Sequence, residues 1–457
     1  MELIIFAFAL VMFYYKKFHW VLVSIFIFAS SYLEINYGSD ITTSQFIFRH
    51  QLADTGIILY VLFFYYSAKK YGLNINSDLL SKIILIFFGF LFTNGIIDII
   101  NNVSAVDVIK YMRLWIYLSI IWIKPEAYSP YIDKMLRILV VIIFVLTVLI
   151  IFQNITGNYW FARPINDERG IKPSFYVLPF IPIILFDALQ YRSILWKWIL
   201  IGTFMFAILI NLKMTYFFTV ILSLIIFVFI FRRKQIPSLI GYGIFIIIGG
   251  VLLISTNDAL MRRIQESSNA LNSTRDGIVE DNASYRLLHA QERFAYIMEN
   301  PKTALRGIGF IHEQSFNRHP VFSIGLIDKN TGNPMQLDTG DIAWSLFFIR
   351  LGLFGIILFI IMYVAIIQKL YRQSQKSLLA GVYCAFMIVA LCFTSLGNAV
   401  IAAGYFYLIP LMLISAKGYG NENLPSYFFF HNRRRRNHAG RYRQRTGENY
   451  MRVPNNN

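Results

Sequence analysis

The chain has 457 residues, is 57% hydrophobic and carries a net charge of +17, with a mean hydropathy of +0.55. That composition excludes a soluble globular domain and describes an all-α polytopic membrane protein. Much of the charge sits in Arg433 to Arg436, Arg441, Arg443, Arg445 and Arg452 of the tail; no folded module accompanies these arginines, so a nucleic-acid partner is not indicated.

A membrane helix needs roughly 20 apolar residues. Such runs fall near 2–15, 18–33, 52–68, 82–100, 108–123, 135–152, 173–189, 194–211, 214–231, 238–255, 342–367, 377–395 and 399–416. The first is short enough to lie in the interface, so the expected count is about 12–13 transmembrane helices. No basic region precedes the first run, which therefore reads as an anchor and not a cleaved signal peptide. The two cysteines, Cys384 and Cys392, share one apolar run and offer neither a disulfide framework nor a metal site.

Positive charge orients the helices. Lys16/Lys17, Lys69/Lys70, Lys124/Lys134/Arg137, Arg192/Lys197, Arg232/Arg233/Lys234, Lys369/Arg372/Lys376 and the C-terminal tail fall on alternate connections. These belong to the cytoplasmic side. The extracytoplasmic connections are then 34–51, 97–107, 153–172, 211–213, 256–340 and 396–398. The chain divides into N-terminal transmembrane helices (1–255), one large extracytoplasmic loop containing short helices (256–340), C-terminal transmembrane helices (341–416) and a basic, disordered cytoplasmic tail (417–457) that can hold anionic membrane lipids. The connections 153–172 and 256–340 are basic despite facing outward, so their cations have another use.

Within the large loop, Ala283 to Glu299 reads as an amphipathic helix, capped by Asn282 and ended by Asn300-Pro301. Arg286, His289 and Arg293 share one stripe, with Leu287, Ala290, Phe294, Ile297 and Met298 on the adjoining apolar face. The helix is expected to lie in the interface plane, apolar face down and cations along its edge. The alternative is an ordinary helix packed on a small loop subdomain.

The candidates for anion binding are Arg163 and Arg169 between the sixth and seventh helices, Lys213 at the outer membrane boundary, and Arg286, Arg293 and Arg306 in the loop. Lys110 and Arg113 lie on one helix face. Guanidinium forks bind phosphate oxygens bidentately and lysine adds a point charge; snorkelling or local ion pairing is the competing use of each cation. As general bases the chain offers His289, His312, His319, Glu313, Asp338 and Asp341. Asp341 or Thr339 also suits the N-cap of the following membrane helix. His312-Glu313 does not continue as His-Glu-x-x-His, and no Gly-x-Ser-x-Gly or phosphate-binding Gly loop occurs. No metal or cofactor is called for.

The order of these features resembles the bacterial O-antigen polymerase and O-antigen ligase superfamily over most of the chain after about residue 80. Glu-Arg169-Gly-Ile-Lys-Pro-Ser-Phe looks like that family's Arg-x-x-Gly segment, and Asn-Leu-Lys213-Met-Thr like its basic residue opening a helix. Ser284-Tyr-Arg286, Glu-Asn-Pro-Lys and Arg306-Gly-Ile-Gly-Phe look like its loop helix and turn. Asp338-Thr-Gly-Asp341, followed by Arg350-Leu-Gly352-Leu-Phe-Gly355, resembles the stretch that closes the loop and opens the next helix. Ligases of the family usually carry a histidine at that last position, whereas this chain has Asp338 and Asp341, which leans toward polymerase.

The resemblance implies a metal-independent membrane glycosyltransferase of the bacterial plasma membrane. It would polymerise oligosaccharide repeat units on undecaprenyl diphosphate into O-antigen or capsule at the outer face, alongside a chain-length regulator protein. The diphosphate would be held by Arg169, Lys213, Arg286 and Arg306 with Arg163 assisting. The base would be one of His312, His319, Asp338 and Asp341. A ligase moving finished glycan to an acceptor, and a flippase, are the alternative functions.

Overall fold

The computed structural model describes residues 2–30, 52–75, 78–156, 177–191, 193–210, 214–232, 282–311, 316, 321–325, 334, 336–337 and 342–416. All its regular elements are helical. In chain order they are α1 (Glu2–Tyr14), α2 (Phe18–Ala29), α3 (Leu52–Tyr71), α4 (Leu79–Ile100), α5 (Ala105–Met112), α6 (Ile132–Thr156), α7 (Val177–Leu185), α8 (Ile194–Ile210) and α9 (Met214–Phe231). There follow α10 (Asn282–Met298), α11 (Pro301–Arg306), α12 (Ala343–Ser374), α13 (Leu378–Cys392) and α14 (Leu408–Ser415). The expected helix at 238–255 lies outside the described residues.

Among the described residues, four stretches are long and apolar enough to cross a membrane: Leu79–Ile100, Pro125–Thr156, Ala343–Ser374 and Leu378–Leu396. Shorter apolar helices, such as Phe18–Ala29 and Thr215–Phe231, pack among them. Helix α2 is apolar all round and buried along almost its whole length, as such a helix must be. Longer helices keep one apolar face uncovered. On α6 the exposed Val141, Val145, Val148 and Phe152 recur at helical spacing and form a single stripe. A stripe of that kind on a spanning helix is a lipid-facing surface.

Helices α4 and α12 run antiparallel through the molecule. At one end Asp78 caps α4 by accepting from Ser81 N (2.9 Å) and pairs with Lys369 near the end of α12 (3.0 Å). At the other end Asp98, only 1% exposed, accepts from the Arg306 guanidinium (2.9 Å) and from Phe310 N (2.7 Å).

Two expected helices take a different form. The run near 108–123 is α5 followed by ten residues of 3-10 helix, Arg113–Trp122. Eight residues rising ~1.5 Å and ten rising ~2.0 Å give about 32 Å, enough to cross the hydrocarbon core. The run near 399–416 is not one helix: α13 ends at Cys392, short 3-10 turns occupy Thr394–Leu396, Ala399–Ala402 and Gly404–Tyr407, and only Leu408–Ser415 is α-helical. Apolar content alone gave no sign of this break, because Gly397, Asn398 and Gly404 are spread too thinly to lower the hydropathy. Leu396 apart, the irregular stretch is half-buried or buried, and its polar side chains are satisfied. Thr394 and Ser395 bond back to Val389 O and Leu391 O, and Asn398 Oδ1 accepts from Val400 N (2.8 Å). Non-helical backbone at membrane depth survives only under such cover.

Helix α12 is itself interrupted. Gly352 has φ 59° and ψ −174°, a conformation open essentially to glycine alone. A Cβ at Gly352 would lie 2.3 Å from Gly307 N, and one at Gly307 would lie 2.3 Å from Ile349 O. The two glycines therefore let the loop backbone enter the break, where Ile308 N donates to Ile349 O at 2.8 Å.

Candidate functional site

The loop helix α10 forms over nearly the expected residues, and Asn300-Pro301 both ends it and starts α11, with Asn300 Oδ1 accepting from Lys302 N at 2.9 Å. Its orientation corrects the expectation that the cations run along the edge of an interfacial helix, and follows the alternative of a helix packed on a small loop subdomain. His289 and Arg293 are fully buried, while Leu287 (59% exposed), Phe294 and Met298 face outward. The polar stripe turns inward because it finds partners there. His289 Nδ1 lies 2.9 Å from Ser345 Oγ of α12. Arg293 donates to Glu292 (2.8 Å) and to Gln336 O (3.2 Å), and its guanidinium covers the Phe322 ring at 4.4 Å. Glu292 in turn accepts from Ser323 N and Oγ, both at 2.7 Å, and Gln336 Oε1 from Val321 N and Phe322 N. Arg293 is thus the centre of a small folded subdomain with its own apolar cluster of Ile297, Phe322, Leu337 and Ile349.

Arg286, one turn before His289, has a different setting. It lines a cleft of about 290 Å³ together with Leu287, Ala290, Thr215, Ile342, Trp344, Phe393, Leu396 and Gly397. Four elements converge there: the start of α9, the first half of α10, the start of α12 and the α13–α14 connection. A Cβ placed on Gly397 would sit 2.8 Å from Arg286 Nη1 and 3.4 Å from Thr215 Oγ1. The missing side chain at 397 is therefore the space in which the guanidinium lies. Among the described residues Arg286 is the one charged side chain on the lining, and apart from Thr215 the walls are largely apolar.

Arg306 lies 25% exposed and paired with the buried Asp98. Arg350, 3% exposed, donates to the carbonyls of Gly309 (3.5 Å) and Ile311 and stands over the Tyr111 ring. Arg113 pairs with Asp54 of α3, and Lys110 with Asp107 at 4.0 Å. Arg163, Arg169, Lys213, His312, His319, Asp338 and Asp341 lie outside the described residues. Thr215 is two positions beyond Lys213, and Ile342 adjoins Asp341. The N-cap position of α12 falls on Ile342, with no side-chain cap, and not on Asp341.

Burial, and then the neighbouring Arg293, push the His289 imidazole down to about 3. It is neutral at physiological pH. Among the described residues, its Nε2 has no hydrogen-bond partner. Among the described residues, no group of three or more His, Cys, Asp and Glu side chains is placed to hold a metal ion.

Three residues at these positions were not singled out in the sequence. Asp98 carried a signal, since a carboxylate inside an apolar helix is functional or paired. Gly397 and Trp344 carried none, because their importance comes from what tertiary structure brings beside them. No protein-family model matches the chain, and no curated protein matches it.

Proposed function

We propose that the chain is a polysaccharide polymerase that joins undecaprenyl-diphosphate-linked oligosaccharide units at the outer face of a bacterial plasma membrane. The observation that carries this reading is Arg286, a cation in a largely apolar cleft beside the start of α9. In sequence, Lys213 precedes that start and Asp341 precedes the start of α12. The cleft lies at the end assigned to the extracytoplasmic side by the charge pattern. The same pattern assigns the basic tail to the cytoplasmic side. The exposed Leu287, Phe294 and Met298 rest in the interface, which brings α10 to the depth of a lipid headgroup.

In the reaction, a hydroxyl of one repeat unit attacks the anomeric carbon of the growing chain. The bond from that carbon to the diphosphate oxygen breaks, undecaprenyl diphosphate leaves, and the hydroxyl proton passes to a base drawn from His312, His319, Asp338 and Asp341. The leaving group gathers negative charge, so fixed cations beside it lower the barrier. Arg286 supplies one, with Arg163, Arg169 and Lys213 as further candidates. Arg306 contributes less charge, because Asp98 offsets it.

Arg286→Ala is expected to lower polymerisation about 10²-fold or more, the scale of a lost electrostatic contact in a transition state. Arg286→Lys should recover only part, since the fork is lost. The check is the glycan ladder from cells producing each variant at normal protein level. Full-length ladders from Arg286→Ala would contradict the role given to this residue, and lipid-linked units stranded inside would point to a flippase.

A further inference from the structure

Two aromatic rings line the cleft, Trp344 and Phe393, and Trp344 is held there by a hydrogen-bond chain. An indole N–H can only donate. Here it donates to Ser395 Oγ at 2.9 Å, and that hydroxyl donates to Leu391 O at 2.6 Å. Phe347 meets the indole edge-on, with centroids 5.9 Å apart and planes at 78°. A tryptophan serving only as a membrane-boundary anchor sends its N–H toward headgroups and water. This one is tied inward to the buried Ser395, which leaves its ring as a fixed wall of the cleft.

The only charged side chain on that lining, among the described residues, is Arg286. A sphere of 290 Å³ is about 8 Å across, so guanidinium and indole are within reach of one sugar and its anomeric phosphate. A pyranose has a face of C–H groups and a rim of hydroxyls. The C–H face packs on an aromatic ring, and Thr215 stands on the same lining to meet a hydroxyl.

We infer that Trp344 is the platform for the sugar attached to the diphosphate, and so a specificity residue of the cleft. The inference rests on the reading of Arg286 as a diphosphate ligand. It assigns the lipid's anion and its first sugar to different side chains, which binding can separate.

The test uses the full-length protein in lipid nanodiscs, titrated with undecaprenyl diphosphate and with undecaprenyl diphosphate bearing one N-acetylhexosamine. The wild type should prefer the glycosylated lipid. Trp344→Leu should weaken the glycosylated lipid about tenfold and leave the sugar-free lipid within about twofold. Trp344→Phe keeps an aromatic face and should stay within about threefold for both, which also guards against a folding defect. The platform is overturned if the wild type shows no preference, or if Trp344→Leu changes neither lipid or weakens both equally. The functional reading fails separately: wild-type protein would bind neither lipid, or Arg286→Ala would change neither affinity.

Discussion

Arg286, Gly397 and His289 show how little freedom the packing around α10 leaves each residue. The backbone at Gly397 (φ −137°, ψ 12°) is accessible to other residues, so what glycine supplies there is room. Gly397→Ala would push its Cβ against a flexible guanidinium terminus, which can move. The expected result is a folded protein with Arg286 displaced and polymerisation lowered about tenfold, and Gly397→Val should lower it further. Normal thermal stability with reduced chain growth would bear this out; wild-type growth from Gly397→Val would contradict it. His289 has the opposite character, a neutral imidazole sealed between α10 and α12. Its folded-state pKa of about 3 lies below the ordinary value of 6.5, so the unfolded or undocked helix binds more protons at acid pH. The stability of α10 packing is therefore fully present above about pH 6.5 and falls as pH drops toward 3, by up to about tenfold in the packed-to-open ratio per pH unit. Hydrogen exchange of α10 amides at pH 7 and pH 5 checks this. His289→Gln should flatten the difference, and an unchanged pH dependence in that variant would rule the histidine out as its source.

At the scale of elements, the segment Pro301–Phe310 acts as a plug. It enters the break in α12 at Gly352, hydrogen-bonds Ile349 O through Ile308 N, and anchors on Asp98 of α4 through Arg306 and Phe310 N. Gly352→Ala faces both a left-handed φ and a backbone clash, so it is expected to expel the plug at a cost of at least about 1–3 kcal/mol. Asp98→Ala would strip the plug of its buried acceptor, at about 3 kcal/mol or more. Limited proteolysis within 300–310 should accelerate in both variants, and protection equal to wild type would sink the plug. Much of this was legible in sequence, but not its purpose. The Arg306-Gly-Ile-Gly-Phe and Arg350-Leu-Gly-Leu-Phe-Gly runs stood out as motifs, and Asn300-Pro301 as a helix boundary. That the two motifs interlock depends on a contact between residues about 45 positions apart, which no local pattern encodes. The cation stripe of α10 misled for a related reason: helical periodicity shows that Arg286, His289 and Arg293 share a face, but not that Ser345, Gln336 and Phe322 wait on the other side.

For the whole molecule, hydropathy and charge delivered the helical membrane character and most helix positions, because both depend on composition over windows of about 20 residues. They could not deliver the 3-10 stretch at Arg113–Trp122 or the broken 393–407 connection, whose shape comes from buried packing such as the approach of Gly404 to Leu114 O. Three long-range contacts join the ends of these helices. Lys369 meets Asp78, Lys124 lies beside Gly72, and Arg306 meets Asp98. The cleft around Arg286 gathers at the end that should face outward, where a lipid diphosphate bearing glycan would arrive. The most direct measurement is a gel of surface and carrier-linked glycan from cells lacking this gene. Single-repeat products in place of the long-chain ladder are the result expected of a polymerase. A ladder of normal length retained on carrier lipid would mean a ligase, and an unchanged glycan profile would contradict the account altogether.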